Sequence, residues 1–230
     1  MTARHGMTNP LTSAALGVLL NAADVAPTLQ VPRAWRIEID GNLLDIYLDH
    51  TRIAGDPDAR VQRIATGATI FNLRCAAAAL SYDSWVSLYP YLSNPTLAAR
   101  MLVQPTGLPD QELQQLYTAI LSRHLVRPPT PPDQRVRRLL ERAAALEDAH
   151  LTWLPVDELA TVVTRGASPS DQIQAGVALE RVLLTATAHD IRADCLNYTL
   201  IRFGEQSGSE ASTQEEAGDD HRGSTPRRGR

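Results

Sequence analysis

The basic side chains of this sequence are all arginines, and this restricts the chemistry open to the protein. The sequence holds 22 basic residues and no lysine. The absence of lysine excludes a Schiff-base mechanism and a phosphate-binding loop that depends on a lysine. Arginine suits bidentate binding of a phosphate group. A GC-rich coding bias explains the same composition equally well, so composition alone does not assign a phosphate site.

No residue lies in a sequence motif that identifies it as a catalytic acid, a catalytic base, a nucleophile or a metal ligand. The six histidines are scattered, and His124 and His189 lie near predicted helix ends, where a cation is favoured by the helix dipole. The two cysteines, Cys75 and Cys195, lack the spacing of a zinc site. Cys75 lies in a helical pattern where a small buried thiol is ordinary. We therefore predict no catalytic residue and no metal site.

Length and charge favour a globular protein without nucleic-acid or membrane partners. The chain has 230 residues, 43% hydrophobic content and a net charge of −4. No apolar run approaches the roughly 20 residues of a membrane span, and no signal peptide is predicted. In the segment 133–150, arginines alternate with Glu141 and Glu147, a pattern more typical of a solvated helix face than of a nucleic-acid surface. We predict a cytoplasmic protein.

Apolar periodicity predicts a mixture of helices and strands. Alternating residues on both sides of Asp40-Gly41-Asn42 predict a β-hairpin. Trp35 is expected in the core, where it packs this hairpin onto the first helix. The chain after Gly204 is polar and is predicted to be disordered. Helices are predicted over 11–26, 58–80, 109–125, 133–150 and 168–190, and strands over 84–92, 97–105, 151–155 and 191–203.

The loop after the first helix carries the first of three resemblances. The stretch "APTLQVPRAWR", residues 26–36, is similar to the opening loop of the Acg family of two-domain, nitroreductase-fold flavoproteins, with Thr28 in place of a serine and Gln30 in place of a histidine. The match continues through the hairpin into the following helix. The residues that fall on family positions are Ala26, Pro27, Trp35, Arg36, Asp49, Arg52, Asp56, Pro57, Gly67, Ala68, Asn72 and Arg74.

Two later stretches extend this resemblance over most of the chain. The stretch "ILSRHLVRPP", residues 120–129, resembles the family segment that opens the second domain, and Arg123 and Arg127 match its arginines. The stretch "SDQIQAGVALERVLLTATAHDIRADCLN", residues 170–197, is the most specific of the three. Family members look like two fused nitroreductase subunits. The resemblance therefore implies an α+β, nitroreductase-like fold whose second nitroreductase-like half is truncated.

The resemblance also implies a division of the chain and a cofactor. We predict a flexible leader over 1–10, a first nitroreductase-like domain over 11–122, a shortened second domain over 123–203 and a disordered polar tail over 204–230. The implied cofactor is FMN, with NAD(P)H as reductant. The expected contacts to FMN come from Thr28, Gln30, Arg123 and Arg127. A homodimer or a pairing with a related chain is the expected assembly.

Departures from the family pattern keep other interpretations open. Val31 and Arg33 stand where the family has an asparagine and a glutamine that bind the polar edge of the flavin ring. Each lost contact of this kind costs about 1–3 kcal/mol, so we expect FMN binding to be weak or lost. Thr28 could instead satisfy its own loop, and the two arginines could be solvated residues at a helix end. The function is therefore predicted as an NAD(P)H-dependent FMN oxidoreductase or a flavin-sequestering protein. The alternative is a non-catalytic, flavin-free relative that acts as a binding or dimer-partner protein.

Overall fold

The computed structural model describes residues 10–27, 29, 35–49, 59–125, 127, 130–155 and 158–204. It confirms the α+β class. In chain order the elements are α1 (Ser13–Asp24), β1 (Trp35–Asp40), β2 (Leu43–Leu48), α2 (Arg60–Ala79), β3 (Tyr82–Leu88), β4 (Leu97–Pro105), α3 (Gln111–Ser122), α4 (Gln134–Ala145), β5 (His150–Trp153), β6 (Leu159–Val163), α5 (Pro169–Ala188), β7 (Ala193–Asn197) and β8 (Leu200–Phe203). Within this described part of the chain, no helix combines the length and apolarity needed to cross a bilayer.

The chain folds as two halves with the same sheet topology. The first sheet has the strand order β1-β2-β4-β3 and the second has the order β5-β6-β8-β7, and all pairs of neighbouring strands are antiparallel. In each half a long helix, α2 or α5, connects the second strand to the third.

Backbone details repeat between the halves at the same sequence offset. Ser81 after α2 and Asp190 after α5 both have positive φ values, of 62° and 56°. Tyr89 after β3 and Tyr198 after β7 both have φ 44°. Non-glycine residues rarely adopt this left-handed conformation. Its recurrence at matched positions therefore indicates an internal structural repeat.

Most of the helices begin directly after a residue whose side chain caps the first turn. Thr12, Asp110 and Asp133 accept hydrogen bonds from main-chain N–H groups in the first turns of α1, α3 and α4. Ser168 and Asp171 form a capping box at the start of α5. In α2 the N-cap is Ala59, which supplies no side-chain cap.

Two hydrophobic clusters form the core, and the long helices contribute to both. The first cluster lies among α1, α2, α3 and the first sheet, and it includes Trp35, as predicted. The second lies among α4, α5 and the second sheet. Ile173 of α5 belongs to the first cluster and Ile64 of α2 belongs to the second. Each long helix therefore inserts an isoleucine into the core of the other half.

One predicted strand was wrong, and one strand of the structure was not predicted. The segment 191–203, predicted as one strand, forms the hairpin β7–β8, because the backbone reverses at Tyr198. No strand was predicted between 155 and 167, yet β6 lies there and completes a sheet with the same order as the first. The hairpin β1–β2 and strands β3, β4 and β5 are confirmed.

Candidate functional site

Arg123 joins three helices at one end of α3. It is the C-cap residue of α3. Its Nη1 donates to the carbonyl oxygen of Val25, the C-cap residue of α1, over 3.3 Å. Its Nη2 pairs with Oε1 of Glu180 on α5. The predicted phosphate-binding arginine therefore lies beside the start of the loop that carries Thr28 and Gln30, although those two residues lie outside the described part of the chain.

Glu180 is a carboxylate with no contact to solvent. Its side chain is 0% exposed, and burial raises its pKa, while Arg123 and the neighbouring Asn72 act in the opposite direction. Its Oε2 is buried and has no hydrogen-bond partner among the described residues. Asn72 Nδ2 donates to the Ala22 carbonyl over 2.9 Å, and its Oδ1 likewise has no partner in this part of the structure. The Asn72 side chain nevertheless lies close enough to Glu180 to lower its pKa as a hydrogen-bond donor, so these two buried side chains form one polar cluster at the junction of α2 and α5.

Arg127 is held separately from Arg123. Its Nη1 donates to the carbonyl oxygens of Ser122 and Leu125, over 3.2 and 3.0 Å. Its Nε lies 3.9 Å from Asp190 Oδ1, and the side chain is only 10% exposed. Arg127 therefore satisfies carbonyl groups at the end of α3.

These partners decide how well the site fits the phosphate of FMN. Arg123 is already neutralised by Glu180, and Arg127 is occupied by carbonyl groups and a nearby carboxylate. A phosphate dianion at Arg123 would meet a buried carboxylate of the same sign. The described residues do not fit an FMN phosphate while the Arg123–Glu180 pair is intact.

A buried ionic network, which the sequence did not predict, lies between the two halves. Arg181 on α5 donates from Nη1 to Glu147 and from Nη2 to Glu112, both over 2.6 Å. Arg74 on α2 donates to the second oxygen of Glu147 over 2.8 Å. Burial alone would lower the pKa of Arg181, but the two carboxylates reverse this effect and raise it. The interpretation of Glu147 as part of a solvated face was wrong, since this side chain is 6% exposed.

A pocket lies at the other end of α3, away from Arg123. Its volume is about 240 Å³, which is smaller than the roughly 300–1,000 Å³ typical of small-molecule sites. It is therefore not a flavin-sized cavity. The lining residues are Arg74, Ala78, Tyr82, Asp83, Ser84, Trp85, Asp110 and Leu113.

Neither cysteine is an activated nucleophile. Cys75 is buried, and burial followed by the charge of Glu180 raises the pKa of its thiol. The same two causes raise the pKa of Cys195 to about 12. Among the described residues, no group of three or more histidine, cysteine, aspartate or glutamate side chains could hold a metal ion.

Comparison with known proteins gives a structural likeness but no match in sequence. No protein-family model and no curated protein matches the sequence. Among solved structures, the chain is similar to a "putative nitroreductase" from Thermotoga maritima, with a TM-score of 0.39 and 6% sequence identity. The match covers 89% of this chain and 98% of that one. At this TM-score the likeness assigns neither a fold family nor a function.

One feature of the sequence could have indicated the buried charged residues that were not predicted. Glu180 and Arg181 interrupt the apolar stretch "AGVAL" and "VLL" inside the long helix α5. Charged side chains within such a stretch are buried only when they are paired. Their partners Arg123, Glu112 and Glu147 come from distant segments, so the pairs themselves were not predictable.

Proposed function

We propose that this chain is a nitroreductase-like flavin-nucleotide-binding protein of the Acg type. The proposed site lies near the meeting point of α1, α3 and α5, and its proposed contacts to FMN come from Thr28, Gln30, Arg123 and Arg127. Bound FMN would supply hydride transfer from NAD(P)H to an electron-poor acceptor. A cytoplasmic location and a homodimer, or a pairing with a related chain, belong to the same proposal.

The contact between Arg123 and the Val25 carbonyl carries this proposal. The 3.3 Å distance brings residues 120–129 next to the start of residues 26–36, and both stretches carry part of the resemblance to flavoproteins. A guanidinium is the side chain best suited to a phosphate, because its N–H groups form two parallel, charge-assisted hydrogen bonds. The internal repeat gives independent support, since a fused pair of subunits would produce two similar halves in one chain.

The roles of the protein groups in this proposal are binding and orientation. Thr28 has a hydroxyl group that can donate to a flavin carbonyl, and Gln30 has an amide that can bind either a donor or an acceptor. Val31 and Arg33 supply neither of the two amides that the family pattern has at their positions. We therefore expect flavin affinity to be weak.

The Arg123–Glu180 pair favours a second candidate function. If the pair never opens, the phosphate has no cation to bind, and the chain is a flavin-free relative that acts as a binding or dimer-partner protein. In that case the buried pair has a purely structural role in fastening α3 to α5.

Absorption spectroscopy and turnover distinguish the two candidates. The purified chain, reconstituted with excess FMN, should show a perturbed flavin absorption band and should oxidise NADH or NADPH with a quinone or nitroaromatic acceptor. The variant Thr28→Ala should weaken the spectral change, whereas Thr118→Ala, an exposed position on α3, should leave it unchanged. A chain that causes no spectral change and does not gain thermal stability with FMN would favour the flavin-free function.

A further inference from the structure

We infer that two copies of this chain pair through the free edge of β3, so that their first sheets join into one continuous antiparallel sheet. The strand order β1-β2-β4-β3 leaves β3 at the edge of the first sheet. The partner is a second copy of the same strand, related by a two-fold axis that passes at Trp85. The pairing gives the proposed homodimer a surface, and it does not rest on flavin binding.

Among the four edge strands of the two described sheets, β3 is the one that lacks protection against another chain. Proteins protect such edges by charged side chains, short strands or bulges. β1 carries Arg36, Glu38 and Asp40 among its six residues. β5 has only four residues, and the register of β7 is irregular between Cys195 and Asn197. β3 has seven residues, one charged side chain and a regular register with β4.

The main-chain groups of alternate β3 residues face away from β4. The Thr106 N–H donates to the Ser81 carbonyl over 3.0 Å, and the Tyr89 N–H donates to the Ala98 carbonyl over 2.9 Å. Hydrogen-bonded and non-hydrogen-bonded pairs alternate in an antiparallel ladder, so the odd-numbered residues between these two points bond to β4. The even-numbered residues therefore direct their N–H and carbonyl groups to the open edge: Tyr82, Ser84, Val86 and Leu88.

The space beside this edge is open to another chain. The pocket of about 240 Å³ lies along residues 82–85 of the strand, and Leu113 of α3 forms part of its opposite wall. An added strand lies about 4.8 Å from its neighbour, so its main chain would run through the space next to these residues. None of the seven residues of β3 is fully buried. The described elements of the chain therefore leave room for a further strand at this edge.

The sequence of β3 is compatible with itself in the two-fold register. With the axis at Trp85, this side chain meets the same residue of the second copy. Ser84 then lies opposite Val86 of the second copy, which sets a small side chain against a larger one. Asp83 lies opposite Ser87, whose hydroxyl group can donate to the carboxylate. This register bonds even-numbered residues to each other and forms about eight main-chain hydrogen bonds, and it places no two like charges opposite each other.

Apolar side chains on the outer face of the sheet favour the same register. Trp85 is 53% exposed and lies opposite Leu102 of β4, which in turn lies opposite Leu43 of β2. The two-fold axis joins this row to its copy, so an apolar row crosses the joined sheet without interruption. Opposed residues have Cβ atoms about 4.5–5.5 Å apart. The two Trp85 rings therefore cover each other, which removes exposed aromatic surface from water.

Charge favours a second copy as the occupant. Ser87 lies opposite Arg100 on β4. In the two-fold register, Asp83 of the second copy lies two strands from Arg100, about 10 Å between Cα atoms, with the small Ser87 side chain between them. Arg100 already pairs with Asp45, so this attraction contributes more to the choice of register than to affinity. The single negative charge of each edge thus faces a positive charge of the other copy.

Sedimentation velocity over a concentration series, without added flavin, tests the pairing. We expect a monomer–dimer equilibrium, because a two-fold pairing uses the β3 edge of both copies. Ser87→Asp places a carboxylate opposite Asp83 of the second copy, twice in each dimer, and should raise the dissociation constant on the order of tenfold. The double variant Ser87→Asp/Asp83→Asn removes this repulsion and should restore the dimer. Thr152→Asp makes the same change at an exposed position of β5 and should have no effect.

The double variant separates pairing from folding, since a substitution at the opposed position would not rescue a misfolded chain. A monomer at millimolar concentration would overturn the inference, and so would assemblies that keep growing with concentration. A dimer that forms equally well in Ser87→Asp would show that another surface holds it, which also overturns the role of β3. Flavin binding is measured separately, so a failure of the proposed flavin site leaves this result unchanged.

Discussion

Gly67 and Gly176 face the main chain of each other's helix where α2 packs on α5. A methyl group at Gly67 would meet the carbonyl oxygen of Ile173 and would lie 2.8 Å from the main-chain nitrogen of Val177. A methyl group at Gly176 would meet the carbonyl oxygen of Ile64 and lie 2.7 Å from its carbonyl carbon. The close approach is reciprocal, as an internal two-fold repeat requires.

The same repeat continues along the two helices. Arg63 donates from Nη1 to Gln172 Oε1 over 2.8 Å, and these residues occupy equivalent positions in α2 and α5. Farther along, the Arg181 guanidinium carbon lies 5.6 Å from the ring centre of Phe71. Equivalent parts of the two helices therefore meet over residues 63–71 and 172–181, so α2 and α5 run side by side in the same direction.

The substitution Gly67→Ala should destabilise the protein strongly. Alanine favours a helix over glycine by about 1 kcal/mol, but the added methyl group clashes with main-chain atoms that cannot rotate away. We expect the free energy of unfolding to fall by at least about 2 kcal/mol. Gly17→Ala is the matched control, because no atom lies within 4 Å of its added methyl group, and it should stabilise α1 by about 0.5–1 kcal/mol. Equal effects of the two substitutions in urea denaturation would contradict the close packing.

The buried network around Glu147 predicts a second large effect. Glu147→Gln removes the charge that pairs with both Arg74 and Arg181, and the Arg181 side chain is only 7% exposed. Loss of Glu147 leaves Arg74 without this carboxylate and leaves Arg181 with the half-exposed Glu112 alone, so we expect a loss of about 3 kcal/mol in the free energy of unfolding. Glu158→Gln, in the half-exposed pair with Arg137, should cost less than about 1 kcal/mol. A similar loss in both variants would show that the network does not hold the two halves together.

Removal of Arg123 should make stability depend on pH through Glu180. Burial raises the pKa of this carboxyl above its ordinary value of 4.5, and Arg123 opposes that rise. In Arg123→Gln the folded-state pKa of Glu180 therefore rises further. A group with a raised folded-state pKa is most favourable below its unfolded pKa, so the free energy of unfolding should decrease as the pH rises through the folded-state pKa.

Denaturation with urea between pH 5 and 8 checks this prediction. The variant Arg123→Gln should lose stability relative to the unmodified chain at pH 8 and recover much of it at pH 5. The double variant Arg123→Gln/Glu180→Gln should lack the added dependence on pH, since no ionisable group remains at the pair. Parallel curves for the single and double variants would mean that the folded-state pKa of Glu180 is not raised above its unfolded-state value.

Local signals in the sequence were sufficient for most of the secondary structure. The turn Asp40-Gly41-Asn42 fixed the first hairpin, and Gly41 has φ 63° as such a turn requires. The apolar periodicity of residues 168–190 predicted α5, which begins directly after its N-cap Ser168. The turn between β7 and β8 was missed because it places Tyr198, a bulky residue, in the left-handed region where glycine or asparagine is expected.

The candidate site was predictable only in its exposed parts. Arg123 was singled out because it matches an arginine of the family segment that residues 120–129 resemble. Its partner Glu180 was not found, because a buried ion pair between α3 and α5 depends on how the two halves pack. Glu112 and Glu147 form ion pairs with Arg181 because of the same packing of the two halves, which no local sequence pattern encodes.

Equilibrium binding of FMN tests the central proposal most directly. The FMN fluorescence is followed while the purified chain is added at pH 7.5, first with the unmodified protein and then with Thr28→Ala. The account predicts saturable quenching with the unmodified protein and weaker binding with the variant. Fluorescence that stays at the level of free FMN with both proteins at millimolar concentration would contradict the assignment of a flavin-nucleotide site.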